Sequence, residues 1–367
     1  MNPYEPQKLP VSELDYRNLI TYVGTANAAL ARYDGLLHGI VNPSIMLSPL
    51  TTEEAVLSSR LEGTQATVDD IFEHDAGILK EDDKTNDIQE VLNYRKALCL
   101  AQETLQNSPI SLHLVRAIHK ELLDSVRGHN KSPGVFREDQ NWIGAFGCTL
   151  DEAVYVPPSP LRLLDHLEDW IHYVNSKDID ILIQSAIMHA QFEIIHPFKD
   201  GNGRIGRLLI PLFLYQKKLL SQPMFYLSAY LEQHREEYYH TLKLISLNND
   251  WNSWIVFFLR AVVEQSNTNT EKVKQILDLY NNMKNDIQRI THSQHTIQIL
   301  DYIFRRPIFK STDFINEERI VRATGMALLS QLKSHNILTD IVPGKGRRPT
   351  VFAFPALLSI VEGRRVI

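Results

Sequence analysis

A short glycine-containing turn between two apolar segments constrains the fold of this chain more than any other feature. Apolar residues recur at helical spacing through residues 181–195, which predicts a buried helix that ends before Pro197. Residues 204–218 repeat the pattern and predict a second buried helix. The turn Asp200-Gly201-Asn202-Gly203 would therefore open the N-terminus of that second helix.

This turn has the chemistry of an anion-binding site. The first backbone N–H groups of a helix lack internal partners and the helix dipole is positive there, which favours a bound phosphate. Gly201 and Gly203 would let the backbone approach an anion without interference from a Cβ atom. Arg204 and Arg207 lie on nearly the same helix face, and planar guanidinium groups suit phosphate oxygens. Together these residues predict a site for a polyphosphate.

Two neighbouring side chains add reactive groups. Asp200 offers the carboxylate oxygen that Mg²⁺ prefers when it bridges a protein to nucleotide phosphates. His196, with an ordinary pKa of about 6.5, can accept a proton at neutral pH. Each of these features taken singly is usually structural, but their order and spacing favour a joint role. We interpret the segment as a Mg-nucleotide site with a general base beside it.

Residues 196–207, His-Pro-Phe-Lys-Asp-Gly-Asn-Gly-Arg-Ile-Gly-Arg, resemble the signature of the Fic family. That signature is His-x-Phe-x-Asp/Glu-Gly-Asn-Gly-Arg-x-x-Arg, and every specified position is matched here. Enzymes of the family usually transfer AMP from ATP to a protein hydroxyl. The resemblance therefore implies a protein adenylyltransferase that modifies Ser, Thr or Tyr, with His196 as the catalytic base, Asp200 as the Mg²⁺ ligand and pyrophosphate as the second product.

The resemblance also implies which residues contact the nucleotide. A Tyr in the stretch 226–239 lines the nucleotide base in the family; we assign that role to Tyr239, with Tyr238 as the rival. An aromatic face against a purine is physically sensible. The implied nucleotide-binding residues are Glu62, His196, Gly201, Asn202, Gly203, Arg204, Ile205, Gly206, Arg207 and Tyr239.

A predicted helix with an acidic residue at its C-terminal end precedes this core. Residues 48–61 are predicted to form a helix that Gly63 ends, and a carboxylate at Glu62 would lie against the helix dipole and require a cation. The spacing Ser58-x-x-x-Glu62-Gly63 resembles the Fic inhibitory motif, in the class with an N-terminal inhibitory helix. The resemblance implies that Glu62 pairs with Arg207, so that Arg207 cannot clamp the γ-phosphate of ATP.

Two short β-rich runs, at residues 141–144 and 153–158, predict a hairpin. The matching element of Fic proteins is a flap that docks the target by main-chain pairing, so residues 142–158 are expected to bind the target protein. A purely structural hairpin is an equal alternative. A further helix is predicted over residues 110–126, where His113 and His119 are expected only to pack or to be hydrated.

The C-terminal part has a different character. Residues 291–367 carry 11 Lys and Arg against 6 Asp and Glu, while the whole chain has a net charge of −6. Three predicted helices and a hairpin near residues 343–349 suggest a winged helix, with a wing that carries Lys345, Arg347 and Arg348. Such folds bind DNA or dock proteins. The candidate recognition helix, residues 322–333, has few base-reading side chains, which favours homodimerisation or protein docking over DNA binding.

Length and composition complete the prediction. With 367 residues, 44% of them hydrophobic, the chain is long enough for two or three globular domains. We expect a mainly α protein with an N-terminal helical region carrying the inhibitory helix (1–108), a Fic-type helical-bundle core with a β-hairpin flap (109–265) and a winged-helix-like domain (286–367). Without a leader or a membrane-length apolar run, a cytoplasmic protein with no membrane contact is expected.

Other functions fit parts of the pattern. Phosphotransfer occurs in the toxin branch of the same superfamily, but that branch typically has Ala in place of Gly201 and lacks Arg207. Removal of AMP would use Glu62 to position water. A DNA-binding regulator whose core only senses a nucleotide is the alternative from a different class.

Overall fold

The computed structural model describes residues 2–40, 42–78, 84–124, 130–144, 147–346 and 348–365. The chain forms two compact units. Unit 1 comprises residues 1–37, 57–64 and 89–267, and unit 2 comprises residues 38–56, 65–88 and 268–367. The predicted domain borders at residues 108, 265 and 286 stay predictions.

Helices dominate, as the sequence predicts. The first half of the described chain contains α1 (Tyr16–His38), α2 (Pro43–Met46), α3 (Ser48–Arg60), α4 (Val68–Asp75), α5 (Thr85–Leu105), α6 (Leu112–Leu122) and α7 (Leu163–Asn175). The second half contains α8 (Ile181–Ile195), α9 (Asn202–Gln216), α10 (Ser228–Gln233), α11 (Arg235–Asn248), α12 (Trp251–Thr291), α13 (Thr296–Arg305), α14 (Ser311–Glu317), α15 (Arg322–Ser334) and α16 (Pro355–Glu362). Among these described helices, none combines length with enough apolar character to span a bilayer.

Helix α8 lies in the core of unit 1. It is apolar on every side, the pattern expected of a fully buried helix, and only Ile181 and Glu193 of its 15 residues are not buried. The Asp180 side chain caps its first turn by accepting the N–H groups of Leu182 and Ile183. Helix α9 packs along α8 and is almost equally buried. The predicted bounds of α8 are confirmed, and α9 begins two residues earlier than predicted.

Helix α12 is a single helix of 41 residues, although its first part is apolar and the part that follows is polar. The segment contains no Gly or Pro that would end a helix, so the polar stretch around residue 267 does not interrupt it.

The predicted hairpin is present as a single antiparallel bridge between Ile143 and Tyr155. The Ile143 N–H donates to the Tyr155 carbonyl at 2.8 Å, and the Val154 N–H donates to the Ile143 carbonyl at 2.8 Å. Longer pairing is prevented within the described residues because a 3₁₀ turn, Leu150–Glu152, precedes the second run and two prolines follow it. Residues 145 and 146 of the predicted flap lie outside the described residues.

Unit 2 contains a small antiparallel sheet of order β1–β3–β2, formed by β1 (Ile308–Lys310), β2 (Thr339–Val342) and β3 (Val351–Ala353). Phe309 pairs with Phe352 across β1 and β3, and Tyr302 packs edge-on against Phe309. The three predicted helices correspond to α13, α14 and α15, and the predicted hairpin to β2 and β3, whereas β1 and α16 were not predicted. The winged-helix class stays a prediction, as do DNA binding and homodimerisation. Lys345 and Arg348 form a bridge at the predicted wing, while Arg347 lies outside the described residues.

Candidate active site

His196 lies at the C-terminal end of α8, in a left-handed conformation with φ of +48°. Its Nδ1 lies 3.3 Å from the Glu193 carbonyl oxygen. Because a carbonyl can only accept, Nδ1 carries the proton, and Nε2 is left with a lone pair. Burial lowers the pKa of His196 to about 4, so the ring is neutral at physiological pH. The side chain therefore has the protonation state that a general base requires.

Arg137 fixes the segment that follows His196. Its Nε donates to the His196 carbonyl at 2.9 Å, and its Nη2 donates to the Pro158 carbonyl at 2.6 Å. The Arg137 backbone N–H donates to the Pro197 carbonyl at 2.9 Å. Burial lowers the pKa of Arg137 to about 10, which still leaves it charged at neutral pH. One buried guanidinium thus joins Pro158, near the bridge, to the chain beside His196.

Asn202 closes the turn between the two helices. The Phe198 N–H donates to Asn202 Oδ1 at 2.9 Å, and Asn202 Nδ2 donates to the Phe198 carbonyl at 2.8 Å. Both polar groups of the buried Asn202 side chain are therefore hydrogen-bonded within the loop. At the start of α9, Asn202 can offer a ligand its backbone N–H but not its side chain. Gly201, with φ of +79°, supplies the left-handed residue on which the helix starts.

His119 anchors the same turn from α6. Its ring stacks on Phe198 with centroids 3.8 Å apart. Nδ1 accepts the Gly134 N–H at 2.7 Å, so Nε2 carries the proton and donates to the Asp200 carbonyl at 3.1 Å. Burial lowers the pKa of His119 to about 4. The expectation that His119 only packs is therefore incomplete, because it also holds the turn by hydrogen bonds.

Asp200 has a side chain that is 37% exposed. Its Oδ1 accepts the Gly201 N–H at 2.6 Å and lies 3.6 Å from Arg204 Nη2. Since both contacts use Oδ1, Oδ2 is the oxygen suited to a metal ion. Within the described residues, no group of three or more His, Cys, Asp or Glu side chains could hold a metal. One accessible carboxylate fits Mg²⁺ that is bound mainly through nucleotide phosphates and water.

Arg207 is held by the segment that precedes α4. Its Nη2 donates to Glu62 Oε1 at 2.7 Å and to the Ser58 carbonyl at 2.8 Å, and its Nε donates to Ser58 Oγ at 2.9 Å. Burial alone would raise the pKa of the Glu62 carboxyl, but the charge and hydrogen bond of Arg207 contribute most to holding it below its ordinary value. Gly63, with φ of +102°, turns the chain away after Glu62. The predicted Glu62–Arg207 contact is thus present.

The Glu62 carboxylate lies on the first turn of α9. A Cβ atom placed on Gly203 would collide with Glu62 Oε1 and would lie 2.9 Å from Arg207 Nη1. A negative group therefore already occupies the backbone position predicted for phosphate. Ile205, whose side chain is fully buried, could reach a nucleotide only through its backbone.

Arg204 points away from this position and forms a buried pair with Glu90 of α5. The distance from Arg204 Nη1 to Glu90 Oε2 is 2.8 Å, and the side chains are 2% and 1% exposed. The sequence prediction expected Arg204 at the phosphates and did not single out Glu90. The two residues are 114 positions apart, so no local pattern indicated the contact.

The two adjacent tyrosines of α11 have different surroundings. Tyr238 is buried, with its hydroxyl 2.9 Å from His189 Nε2. Tyr239 is 43% exposed, and the Arg235 guanidinium lies 5.8 Å from its ring centroid. The exposed ring favours Tyr239 over its rival as the residue that lines a nucleotide base, an assignment that stays a proposal.

Glu193 is a further acidic group near Arg207. Burial raises the pKa of its carboxyl to about 8, and the neighbouring Glu62 adds to the increase. The side chain is therefore mainly neutral at physiological pH. Its carboxyl lies against α9, where a Cβ atom on Gly206 would collide with Glu193 Oε1. Gly206, which was predicted to contact the nucleotide, therefore lies where α9 packs closely against the Glu193 carboxyl.

Two family models match the chain: Fic/DOC family N-terminal over residues 20–103 and Fic/DOC family over residues 109–214. Solved structures agree in fold. A Fic family protein from Desulfovibrio desulfuricans, 19% identical, covers 96% of this chain and 98% of its own, with a TM-score of 0.58. Fic-1 from C. elegans, 20% identical, covers 72% and 74%, with a TM-score of 0.53. The chain belongs to the Fic family.

Curated relatives are named protein adenylyltransferases. A probable protein adenylyltransferase of Aquifex aeolicus is 30% identical over 184 residues, which cover 48% of this chain and 51% of the relative. Protein adenylyltransferase Fic of Drosophila willistoni is 30% identical over 146 residues, or 38% of this chain and 25% of the relative. The match therefore spans about half of the bacterial relative and a quarter of the insect one.

Proposed function

We propose that this protein transfers AMP from ATP to a hydroxyl group of a protein side chain. One observation carries the proposal. The neutral His196 imidazole, whose Nε2 has a free lone pair, lies shortly before Gly201, which opens the N-terminus of α9. At that N-terminus the Glu62 carboxylate occupies the position predicted for phosphate. The base and the phosphate site are thus adjacent in a single loop. The names of the relatives support nucleotidyl transfer as the reaction.

The chain's groups account for each bond change. His196 Nε2 takes the proton of the target hydroxyl, whose oxygen attacks the α-phosphorus of ATP. The new bond joins that oxygen to AMP, and the bond between the α-phosphorus and the pyrophosphate oxygen breaks. The N–H groups at Asn202 and Gly203 and the Arg207 guanidinium stabilise the developing negative charge. Pyrophosphate leaves with the electron pair of the broken bond.

Asp200 would hold Mg²⁺ through Oδ2, and the ion would neutralise part of the charge on the phosphates. Tyr239 would stack against the nucleotide base. A target segment would dock beside Ile143 and Tyr155, where exposed Trp142 and Val154 flank the bridge. Main-chain pairing at that edge would bring a target hydroxyl toward His196.

The structure corresponds to the restrained form in this proposal. Arg207 gives its hydrogen bonds to Ser58 and Glu62, so it is not available to the γ-phosphate. The Glu62 carboxylate on Gly203 also repels an incoming phosphate. ATP bound without that clamp would lack the alignment needed for in-line attack. Displacement of Glu62 would then release the activity.

Labelling separates this proposal from its alternatives. The Glu62→Gly protein is incubated with Mg²⁺ and ATP labelled at either the α- or the γ-phosphate, and intact mass is measured for self-modification. We expect α-label and the mass of AMP on the protein. The Glu62→Gly/His196→Ala protein is the control and should stay unlabelled. Incorporation of γ-label would indicate phosphotransfer instead, and absence of both labels from the protein and from added cell proteins would remove the proposal.

A further inference from the structure

A buried ion pair ties the first arginine of the motif to the N-terminal helical region. Glu90 belongs to α5, within residues 20–103, and Arg204 belongs to α9 of the core. Both side chains are almost completely buried, with 2.8 Å between Nη1 and Oε2. Breaking such a pair leaves an uncompensated buried charge. Glu90 therefore holds the Arg204 guanidinium firmly, so that motion of the Arg204 side chain alone does not bring it to the phosphate site.

Arg204 also faces a second carboxylate, that of Asp200. Its Nη2 lies 3.6 Å from Asp200 Oδ1, which is too long for a hydrogen bond. The same Oδ1 accepts the Gly201 N–H at 2.6 Å. One guanidinium thus lies between two carboxylates, close to Glu90 and only loosely associated with Asp200.

This asymmetry has an electrostatic consequence. While Glu90 is ionised, it neutralises most of the attraction that Arg204 would exert on its surroundings. If the Glu90 charge were removed, the Asp200 carboxylate, whose Oδ1 lies 3.6 Å from Arg204 Nη2, would be available as a partner for the Arg204 charge. Arg204 would then compete with a cation for the same carboxylate. The pair formed with Glu90 prevents that competition.

We propose that Glu90 is a positioning residue of the nucleotide site, which holds Arg204 away from Asp200 and so keeps the Asp200 carboxylate available to the divalent cation that accompanies the nucleotide. This inference rests on the proposed function, because the cation belongs to a bound nucleotide. It gives the N-terminal helical region a second role at the site, in addition to that of the Glu62 segment.

A purely structural role for Glu90 makes a different prediction. Loss of packing would weaken ATP binding with and without metal to a similar extent. Loss of charge balance would weaken only the metal-dependent part, because Arg204 competes with the cation and not with the nucleotide. Glu90→Gln separates the two, since the amide oxygen can still accept a hydrogen bond from Arg204 while the charge is removed.

The experiment is calorimetric titration of ATP at a series of Mg²⁺ concentrations. The parent is the Glu62→Gly protein, and the variants add Glu90→Gln or, as a matched control, Glu103→Gln at an exposed position of the same helix. We expect Glu90→Gln to raise the half-saturating Mg²⁺ concentration by roughly tenfold or more, as for other outer partners of metal ligands. ATP binding without metal and the Glu103→Gln protein should match the parent.

A double variant, Glu90→Gln/Arg204→Gln, removes both charges and replaces the ion pair with two amides. It should return the Mg²⁺ requirement to within about threefold of the parent, because Asp200 no longer faces a competing cation. If Glu90→Gln alone does not fold, the Mg²⁺ requirement of the double variant tests the inference in its place. An unchanged requirement in folded Glu90→Gln, or a raised one in the double variant, would overturn the inference. A parent that binds no ATP at any Mg²⁺ concentration would overturn the proposed function and this inference with it.

Discussion

The two arginines of the motif meet their acidic partners in contrasting ways. Arg204 pairs with Glu90 where both side chains are almost fully buried. Arg207 pairs with Glu62 just as closely, at 2.7 Å, but the Glu62 side chain stays 32% exposed. Water and dissolved ions can compete for the second pair and hardly for the first. One helix turn therefore carries one fully buried ion pair and one whose acidic partner is accessible to solvent.

The difference shows which acidic residue a nucleotide could replace. Glu62 lies on the backbone of Gly203, so a phosphate could take over both its contact with the helix N-terminus and its contact with Arg207. The Glu90 side chain is only 1% exposed, so an anion from solvent has no direct access to its position. We therefore expect changes at Glu62 to act on activity and changes at Glu90 to act first on stability.

The largest expected effect is on the free energy of unfolding. Glu90→Ala leaves Arg204 buried without its closest partner and should destabilise unit 1 by about 3–5 kcal/mol. Glu62→Ala should cost less than Glu90→Ala, because the Glu62 side chain is 32% exposed and Arg207 keeps its hydrogen bonds to Ser58. All four tryptophans lie in unit 1, so urea unfolding followed by tryptophan fluorescence measures it. Glu103→Ala is the control on α5, and equal losses from Glu90→Ala and Glu62→Ala would contradict the comparison.

The second effect concerns catalysis by the released arginine. In the Glu62→Gly background, Arg207→Gln should reduce kcat/KM for AMP transfer by about 10²–10³-fold, because a charge-stabilising donor is lost from the transition state. Arg289→Gln, which changes a side chain that is 77% exposed, is the matched control and should have no effect. A loss of less than about threefold at Arg207 would mean that the opened pair does not serve the phosphates.

The sequence predicted the local parts of this arrangement well. The bounds of α8 and the turn that opens α9 follow from apolar periodicity and from glycine, which act over a few residues. The contact between Glu62 and Arg207 was predicted from a resemblance between motifs, and the contact is present. The inhibitory effect of that contact stays a proposal.

The contacts that the sequence did not predict join distant positions. Glu90 reaches Arg204 across 114 residues, His119 reaches the Asp200 carbonyl across 81, and Arg137 reaches the His196 carbonyl across 59. None of these three residues belongs to a local pattern, and charged side chains are mostly exposed while histidine is buried only sometimes. Only the tertiary packing reveals that they are buried polar anchors for the turn.

A smaller effect tests how the second pair is held. Ser58→Ala removes the hydroxyl that accepts the Arg207 Nε hydrogen bond but keeps Glu62 and the Ser58 carbonyl. Loss of one hydrogen bond should raise AMP transfer by about two- to tenfold, less than Glu62→Gly does. Ser59→Ala is the control, because the Ser59 hydroxyl is buried without a hydrogen-bond partner in the described part of the chain. Equal activation by both serine variants would show that a general loosening of α3, and not the bond to Arg207, releases activity.

The smallest effect is a dependence on pH. Burial lowers the pKa of His196 to about 4, and Glu62 raises it, so Glu62→Gly lowers it further. The base is then neutral throughout, and the rate should not fall between about pH 7 and 5.5, where an ordinary imidazole would become protonated.

At the alkaline end, Glu193 governs the expected change. Burial raises the pKa of its carboxyl to about 8, and loss of Glu62 lowers it from that value. As pH rises through this pKa, Glu193 ionises beside Arg207 and takes over the attraction that Glu62 exerted. The rate of the Glu62→Gly protein should therefore fall by roughly two- to fivefold above that pH, the size expected of an incompletely buried charge pair. The rate profile is measured with α-labelled ATP, and adding Glu193→Gln should make it flat. A decline that persists in the Glu193→Gln variant would assign the alkaline loss to a group other than Glu193.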